Sequence, residues 1–446
     1  MTGPRVPALL HEQSFRRYWH ARTVSMFGDQ VSAIALPLVA SLSLRASAAQ
    51  MGYLTAAVWA PSLLFSVQAG AWADRRGRRR PIMIAADLGR AGLLATIPVC
   101  AALHLLTLVQ LYAVAFGAGT LSAIFTVCDP ALFVALAPSG RYVEGQTLVY
   151  ASRAFSFLGG PSLGGLLVQV LTAPLAIMAD ALSFLGSAFF LAGVRPAEPP
   201  AQPRTGRTFG AGARFIAGSP VVRAVLTSAA VINFFDFVFM ALFVLYVTRS
   251  LHVHPGLLGV VLGAGAVGGV IGSVLTRPIA ARIGIGWAYV AGCVLFPAPL
   301  VLVPMAGGRA VLGFLFAAEF LSGFGVMMLD ISSGSIFAVA IPDRLRSRVN
   351  GAFQAVNYGT RPVGALAGGA LGTLIGVRPA LWIGAAGALT GFLWLLPSPV
   401  PRFRMPSGPV TEPEPRQSLR PMPPTAAQRS GCSPTSARES GCHSGR

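Results

Sequence analysis

The sequence predicts an all-α integral membrane protein, with twelve transmembrane helices in two pseudo-symmetric six-helix bundles. Three observations predict it. Of 446 residues, 54% are hydrophobic and 11% charged, and the mean hydropathy is +0.65; a soluble domain carries about 25% charged residues. The apolar residues fall in runs of roughly 20, the length that crosses a bilayer core as a helix. Landmarks of the first half recur in the second at a near-constant spacing.

The runs place spans at 19–43, 50–72, 81–104, 107–136, 146–170 and 173–194, then at 222–248, 255–276, 285–306, 310–339, 348–374 and 379–397. Residues 1–18 form a short N-terminal segment without the apolar stretch of a signal peptide. Residues 19–194 make the first bundle and 222–397 the second. Between them 195–221 is a linker rich in Pro, Arg and Gly, and 398–446 shifts to the Pro, Ser, Arg and Thr of a disordered tail.

The formal charge of +19 comes from arginine alone, since there is no lysine. These arginines are scattered between apolar runs and build no continuous basic face, which excludes a nucleic-acid partner. They do set an orientation. With a cytoplasmic N-terminus, the inner loops hold sixteen arginines, at Arg75–Arg80, Arg141, Arg195–Arg223, Arg277 and Arg282, and Arg344–Arg348; the outer loops hold four, Arg45, Arg249, Arg309 and Arg378. The positive-inside rule then puts both termini in the cytoplasm of a multi-pass inner-membrane protein. Cys100, Cys128, Cys293, Cys432 and Cys442 show no metal or disulfide spacing.

Five landmark pairs suggest duplication: Gly70 and Gly272 at an offset of 202, Asp129 and Asp330 at 201, Pro138 and Pro342 at 204, Pro161 and Pro362 at 201, and Asp29 and Asp236 at 207. Parallel repeats of this kind belong to transporters that rock two bundles about a central site.

Between spans two and three, Gly70, Asp74, Arg75, Gly77, Arg78 and Arg79 make a G-x-x-x-D-R-x-G-R-R loop. Gly70 permits close helix approach, Gly77 a tight turn, and Asp74 can pair with arginine or cap a neighbouring helix N-terminus. The second-half counterpart, Gly272 to Arg277, lacks the acid. In span five, Gly160, Pro161, Gly164 and Gly165 combine a helix-bending proline with residues that allow close packing.

The first loop matches the signature of the major facilitator superfamily at every defined position, and the span-five cluster resembles the core of its antiporter motif, with Thr147 and Ser156 where upstream glycines would stand. Together with Phe15–Trp19, Gly28–Gln30, Cys128–Ala131 and Asp180–Phe184, residues 13–397 resemble the macrolide-efflux and enterobactin-exporter branch of its drug:proton antiporters. The resemblance implies that the Asp74 loop docks near the start of span eleven, gating the cytoplasmic side. It also implies that spans one, four, seven and ten line a cavity. Ala113 stands where many proton-linked exporters carry an arginine.

Acids inside spans are costly unless paired, hydrated or protonated. Asp87 and Arg90 lie at i,i+3 and read as a structural pair, and Asp180 as a packing or hydrogen-bonding residue. Asp29, Asp129, Asp236 and Asp330 are expected in the cytoplasmic half of the cavity, with Glu319 nearer mid-membrane. Asp29 and Glu319 lead as proton-coupling candidates, Asp236 following. Asp129 and Asp330 could equally pair with Arg141, Arg344 or Arg348. Arg153 and Arg361 could neutralise acids or bind an anionic cargo. Trp59, Phe234, Phe235, Phe239 and Phe324 could offer apolar surface, although aromatic residues at such spacing are usually packing.

The expected function is efflux of an amphipathic small molecule, antibiotic- or siderophore-like, in exchange for protons, by a monomer with no cofactor beyond the proton gradient. No phosphate loop, metal cluster or nucleophile–base pair marks an enzyme. An importer or facilitator of the same fold is the alternative, and a non-transporting receptor or scaffold is a further one.

Overall fold

The computed structural model describes residues 8–195 and 209–404. The first half contains α1 (Gln13–Leu38), α2 (Ala48–Arg76), α3 (Arg79–Ala102), α4 (Leu108–Leu136), α5 (Tyr142–Leu171) and α6 (Ala173–Ala192). A short α7 (Phe209–Gly218) precedes α8 (Pro220–Leu245), α9 (Pro255–Ile283), α10 (Ile285–Leu295), α11 (Leu302–Met305), α12 (Val311–Ala340), α13 (Asp343–Leu374) and α14 (Val377–Leu389). α10 and α11 together make one passage, Ile285–Met305. Nine passages among the described residues are long and apolar enough to cross a bilayer on their own. α2, α13 and α14 complete the twelve; α13 opens on an Arg- and Asn-bearing stretch, and α14 is continued by a 3-10 turn to Trp394.

Local signals fix the helix ends. Ser47 and Gln50 form a capping box on α2, the Ser47 N–H donating to Gln50 Oε1 at 2.7 Å and the Gln50 N–H to Ser47 Oγ at 3.3 Å. Thr107 caps α4 and Ser219 caps α8. Gly77, in the left-handed region at φ 65°, ends α2 with its N–H on Ala73 O at 3.1 Å. At the end of α6, Arg80 Nε donates to Leu191 O at 2.9 Å and Arg17 Nη1 to Gly193 O at 2.5 Å. Two arginines thus satisfy helix-end carbonyls, where cations are favoured.

The packing repeats between halves. α1 lies on α5 and α6, α2 on α4, and α3 on α4 and α6; α8 lies on α13 and α14, α9 on α12, and α10 on α12. Positive-φ residues give the register: Arg45 and His252, and Gly77 and Gly284, are 207 apart, while His104 and Gly308, and Thr172 and Gly376, are 204 apart. In this register Asp29/Asp236 and Pro138/Pro342 are true equivalents. Asp129/Asp330 and Pro161/Pro362 are each one helical turn out, and Gly70/Gly272 is further out still. The duplication holds, but three of its five expected landmarks are not equivalent positions.

The halves meet where α2 packs on α13 and α5 on α9. Each crossing is glycine on glycine: a Cβ on Gly52 would lie 2.8 Å from Gly369 Cα, and one on Gly165 2.7 Å from Gly259 Cα. The two crossings are mates in the repeat, both near the arginine-poor end of their helices.

Two expected boundaries shift. The end of the linker forms α7, which packs on α13 and α8, while residues 196–208 lie outside the described residues. The first residues assigned to the tail are ordered: Val400 is fully buried, and Phe403 O accepts from the Gly286 N–H at 3.2 Å. Residues 405–446 lie outside the described residues.

Candidate functional site

In the first half most of the intramembrane charges gather around Arg90 and Asp180. Arg90 on α3 is 3% exposed, and its Nη2 pairs with Asp87. Its Nη1 donates to Ser122 Oγ on α4 at 3.2 Å, and its guanidinium lies 4.7 Å from the Phe125 ring centroid and 3.9 Å from that of Phe184. Ser187 Oγ on α6 donates to Asp87 Oδ2 at 2.7 Å. Asp180 accepts from Ser32 on α1 and, at 3.0 Å, from Ser183. Asp29 faces this network at its edge, 3.8 Å from Arg90 Nη1. Its side chain is 48% exposed.

Asp129 stands apart. It accepts from Tyr18 Oη at 2.8 Å and lies 3.1 Å from Arg22 Nε. Of the three expected gate partners, Arg141 pairs instead with Glu12 at 3.7 Å, and the Arg344 and Arg348 side chains lie outside the described residues. Because α1 begins at Gln13 rather than residue 19, Asp29 lies about 24 Å along its helix, mid-span like its equivalent Asp236. The four aspartates therefore do not form the single cluster expected near the cytoplasmic side.

In the second half the charges are sparse. Asp236 on α8 and Glu319 on α12 each bury an oxygen, Oδ1 and Oε1, that has no hydrogen-bond partner among the described residues. Glu319 is 9% exposed and packs on Gly265 of α9. Arg361 on α13 donates through Nε to Asn233 Oδ1 at 3.3 Å, and Asn233 Nδ2 donates to Asn357 Oδ1 at 2.8 Å. The Arg361 guanidinium lies 4.4 Å from Trp59, 5.0 Å from Tyr358 and 5.2 Å from Phe237, measured to ring centroids. Trp59 belongs to the first half, so this box joins the two. Asp330 is exposed, with Arg361 and, from α5, Arg153 as its cationic neighbours; Arg153 is also exposed and lies 5.7 Å from Phe157.

The aromatic candidates separate. Trp59 lies in the Arg361 box. The Phe235 ring fills the space over Gly387 of α14, Phe239 is fully buried, and the Phe324 backbone crosses Gly272; these three pack helices together. Phe234 meets Phe235 edge-on at 5.1 Å.

The two glycine motifs fare differently. Gly70 and the Asp74 side chain lie outside the described residues. Arg75 and Arg78 are exposed, Arg79 is half-buried, and Arg76 lies over Trp72 at 4.7 Å. Gly160 and Gly164 admit α1 at Gln30 and Val31, while Gly165 admits α9. The same pattern recurs 204 residues on: Gly364 and Gly368 admit α8 at Phe234 and Val238, and Gly369 admits α2. A motif present in both halves is first of all a helix crossing.

Sequence reading passed over Arg22, Asn233, Asn357 and Tyr358. The signal was there for Arg22: Tyr18, Arg22 and Asp29 lie at i, i+4 and i+11 on one helix face. As a whole, the first half carries an exposed carboxylate beside Arg90, and the second carries two neighbouring acids, Asp236 and Glu319, with the ring-clamped Arg361 as the cationic neighbour of Asp236. Such groups can hold and release protons or a charged cargo as access to them changes. An apolar hollow along α10, between Ile283 and Leu295, has no polar lining residue and is not part of this site.

Residues 6–422 match the family described as transmembrane secretion effector. The chain is 23% identical over 389 residues to an uncharacterised MFS-type transporter, YfiS of Bacillus subtilis, covering 84% of this chain and 91% of that one. It is 26% identical over 383 residues to the multidrug efflux pump Tap of Mycobacterium tuberculosis, covering 80% and 87%. It is 24% identical over 343 residues to a putative sugar efflux transporter of Deinococcus radiodurans, covering 75% and 85%. Among solved structures, a bacterial homologue of the iron transporter ferroportin, in an inward-facing state, superposes with a TM-score of 0.72 at 16% identity, over 87% of this chain and 99% of that one. The nucleoside transporter NupG superposes at 0.66 and 12%, over 86% and 98%. The fold is that of the major facilitator transporters, and the chain belongs to their transmembrane secretion effector family.

Proposed function

We propose that this transporter is an exporter of an amphipathic small molecule, antibiotic- or siderophore-like, that exchanges cargo for protons across the inner membrane by alternating access. The pair Asp236 and Glu319 carries the reading: two buried acids with an unpartnered oxygen each, on helices whose first-half equivalents hold no such pair. A group in that setting is stable only when protonated or when met by a transient partner, and this is what coupling requires. Export is supported by the efflux relatives. The arginine bias supports cytoplasmic termini. Asp29 and Asp330 then face cargo in the cavity, Arg153 and Arg361 serve as their exchangeable counter-ions, Trp59 offers a ring, and the Asp74 loop closes the cytoplasmic side. Residues 19–194 and 222–397 move as the two rocking bodies.

The test uses everted vesicles with an imposed proton gradient, read by a pH-sensitive dye during addition of macrolides, dyes and siderophores. Cargo-triggered proton release that Glu319→Gln or Asp236→Asn abolishes is the expected result. Cargo movement that ignores the gradient overturns proton exchange and leaves a facilitator; accumulation in the opposite direction leaves an importer.

A further inference from the structure

At the arginine-poor end, α1 and α8 both pass from α-helix into a π-turn, Val39–Ser43 and Tyr246–Ser250. The turns are equivalent in the 207-residue register, down to their closing hydrogen bonds. Leu44 N–H donates to Val39 O and Leu251 N–H to Tyr246 O, both at 3.1 Å; Ala46 N–H donates to Ala40 O at 2.8 Å and Val253 N–H to Val247 O at 3.0 Å. They touch across the repeat axis through Ser41 Oγ and Thr248 Oγ1, 3.0 Å apart. Unwinding a helix end leaves carbonyls without intrahelical donors, and one side chain takes them. Arg249 Nη1 donates to Ala46 O at 2.9 Å and its Nη2 to Ser41 O at 2.6 Å. Both acceptors belong to the other half. The equivalent position in the first half is Leu42, 45% exposed, so the bridge is made from one side.

We infer that Arg249 is the latch of the arginine-poor gate: it holds that end of the two halves together while the cavity is open at the other end, and it must let go for the cavity to open here. The sequence counts Arg249 as an outer-loop charge that merely balances topology. The geometry makes it a positioning residue that acts through the helix ends and touches no cargo. A charged donor on two backbone carbonyls suits a gate, because it is strong when closed and loses little to water when open. Gly52 against Gly369 and Gly165 against Gly259 let the same end close tightly. The inference rests on the alternating-access reading above.

The experiment needs no cargo. In the full-length chain, the five cysteines are replaced by serine and Ala241→Cys is introduced, at a residue 1% exposed against Ala56 and Ala365 of the facing helices. The protein is placed in lipid nanodiscs, and labelling by a soluble maleimide is timed. Arg249→Ala is expected to raise the labelling rate at least about tenfold, since it removes two charged hydrogen bonds and one alone is worth about that factor. The exchange Leu42→Arg with Arg249→Leu is expected to restore protection, because an arginine at position 42 meets Thr248 O and Val253 O in the equivalent turn. Gly165→Trp, which wedges the α5–α9 crossing apart, is the control for opening as such. Fast labelling with the wedge but parent-like labelling in Arg249→Ala overturns the latch and leaves alternating access intact. Slow labelling in both overturns alternating access as well. Fast labelling in Arg249→Ala that the exchange fails to restore overturns the assignment of the two carbonyls.

Discussion

The two halves share a backbone and differ in what they bury on it. Gly28 of α1 lies over Asp180 and Ser183 of α6; its equivalent in α8 is Phe235, which lies over Gly387, the equivalent of Ser183, beside Gly384, the equivalent of Asp180. The same replacement runs through the whole layer. Ser32 becomes Phe239, Asp87 becomes Val294, Arg90 becomes Pro297, and Ser187 becomes Gly391. The first half has kept small residues on one helix and filled the gap with a hydrogen-bonded polar network. The second has placed glycines on the partner helix and filled it with aromatic rings. Both solutions pack, but only the network fixes charges in place. The second half is left with Asp236 and Glu319 as neighbouring acids that each bury an oxygen with no hydrogen-bond partner among the described residues. On the proposed function, the first half is the electrostatically settled partner and the second the one whose charge state changes.

The largest effect that could break this contrast is Arg90→Ala. It leaves Asp87 buried without its cation, and loss of one partner of a buried pair costs about 3–5 kcal/mol. Thermal unfolding of the purified protein should show a much lower midpoint. A variant that melts like the parent would mean that the first-half network is not holding its helices, and the contrast would fail there.

Next comes the glycine exchange between helices. Gly28→Ala drives a methyl into Ser183 and Asp180, and Gly387→Ala drives one into the Phe235 ring; overpacking of this kind costs about 1–3 kcal/mol. The halves should part company in how they are rescued. Phe235→Leu should relieve Gly387→Ala, since it gives back volume. Ser183→Ala should not relieve Gly28→Ala, because it also strips Asp180 of a donor. Double-mutant cycles on unfolding midpoints measure both couplings; equal rescue would show that the network is mere filling.

How much of this was legible in the sequence follows from the kind of signal. Apolar runs gave helix positions to within several residues, because a membrane span must be long and apolar whatever its neighbours. Asp29 and Asp236 were paired correctly, since each sits in a Phe-x-Asp setting that survives duplication. The glycine motif of α13 was missed because Ala365 stands where Pro161 stands in α5, and Pro362, one turn earlier, offered a false match. The Tyr18–Arg22–Asp129 contact was illegible because it joins α1 to α4 across 107 residues between arginine and acid, with nothing periodic to announce it. Arg249 was illegible for a different reason. Its partners are backbone carbonyls, which carry no sequence identity at all.

The smallest expected change in stability is the sharpest test of the comparison. Glu319→Gln and Asp236→Asn keep volume and remove an ionisable group whose buried oxygen has no partner to lose. Neither substitution removes a hydrogen bond, in contrast to Arg90→Ala, although Asp236→Asn takes a charge from beside Arg361, so each should alter stability by about 1 kcal/mol or less. The same two variants should lose cargo-driven proton release in everted vesicles. Small cost with lost exchange is the pattern of a group kept for its charge state rather than for packing. If either amide instead destabilised the fold by as much as Arg90→Ala, that acid would have to be as firmly partnered as Asp87. The second half would then be another settled network, and the exchanging proton would have to be sought at Asp29, the mid-span acid of the first half whose exposed side chain lies beside a cation already committed to Asp87.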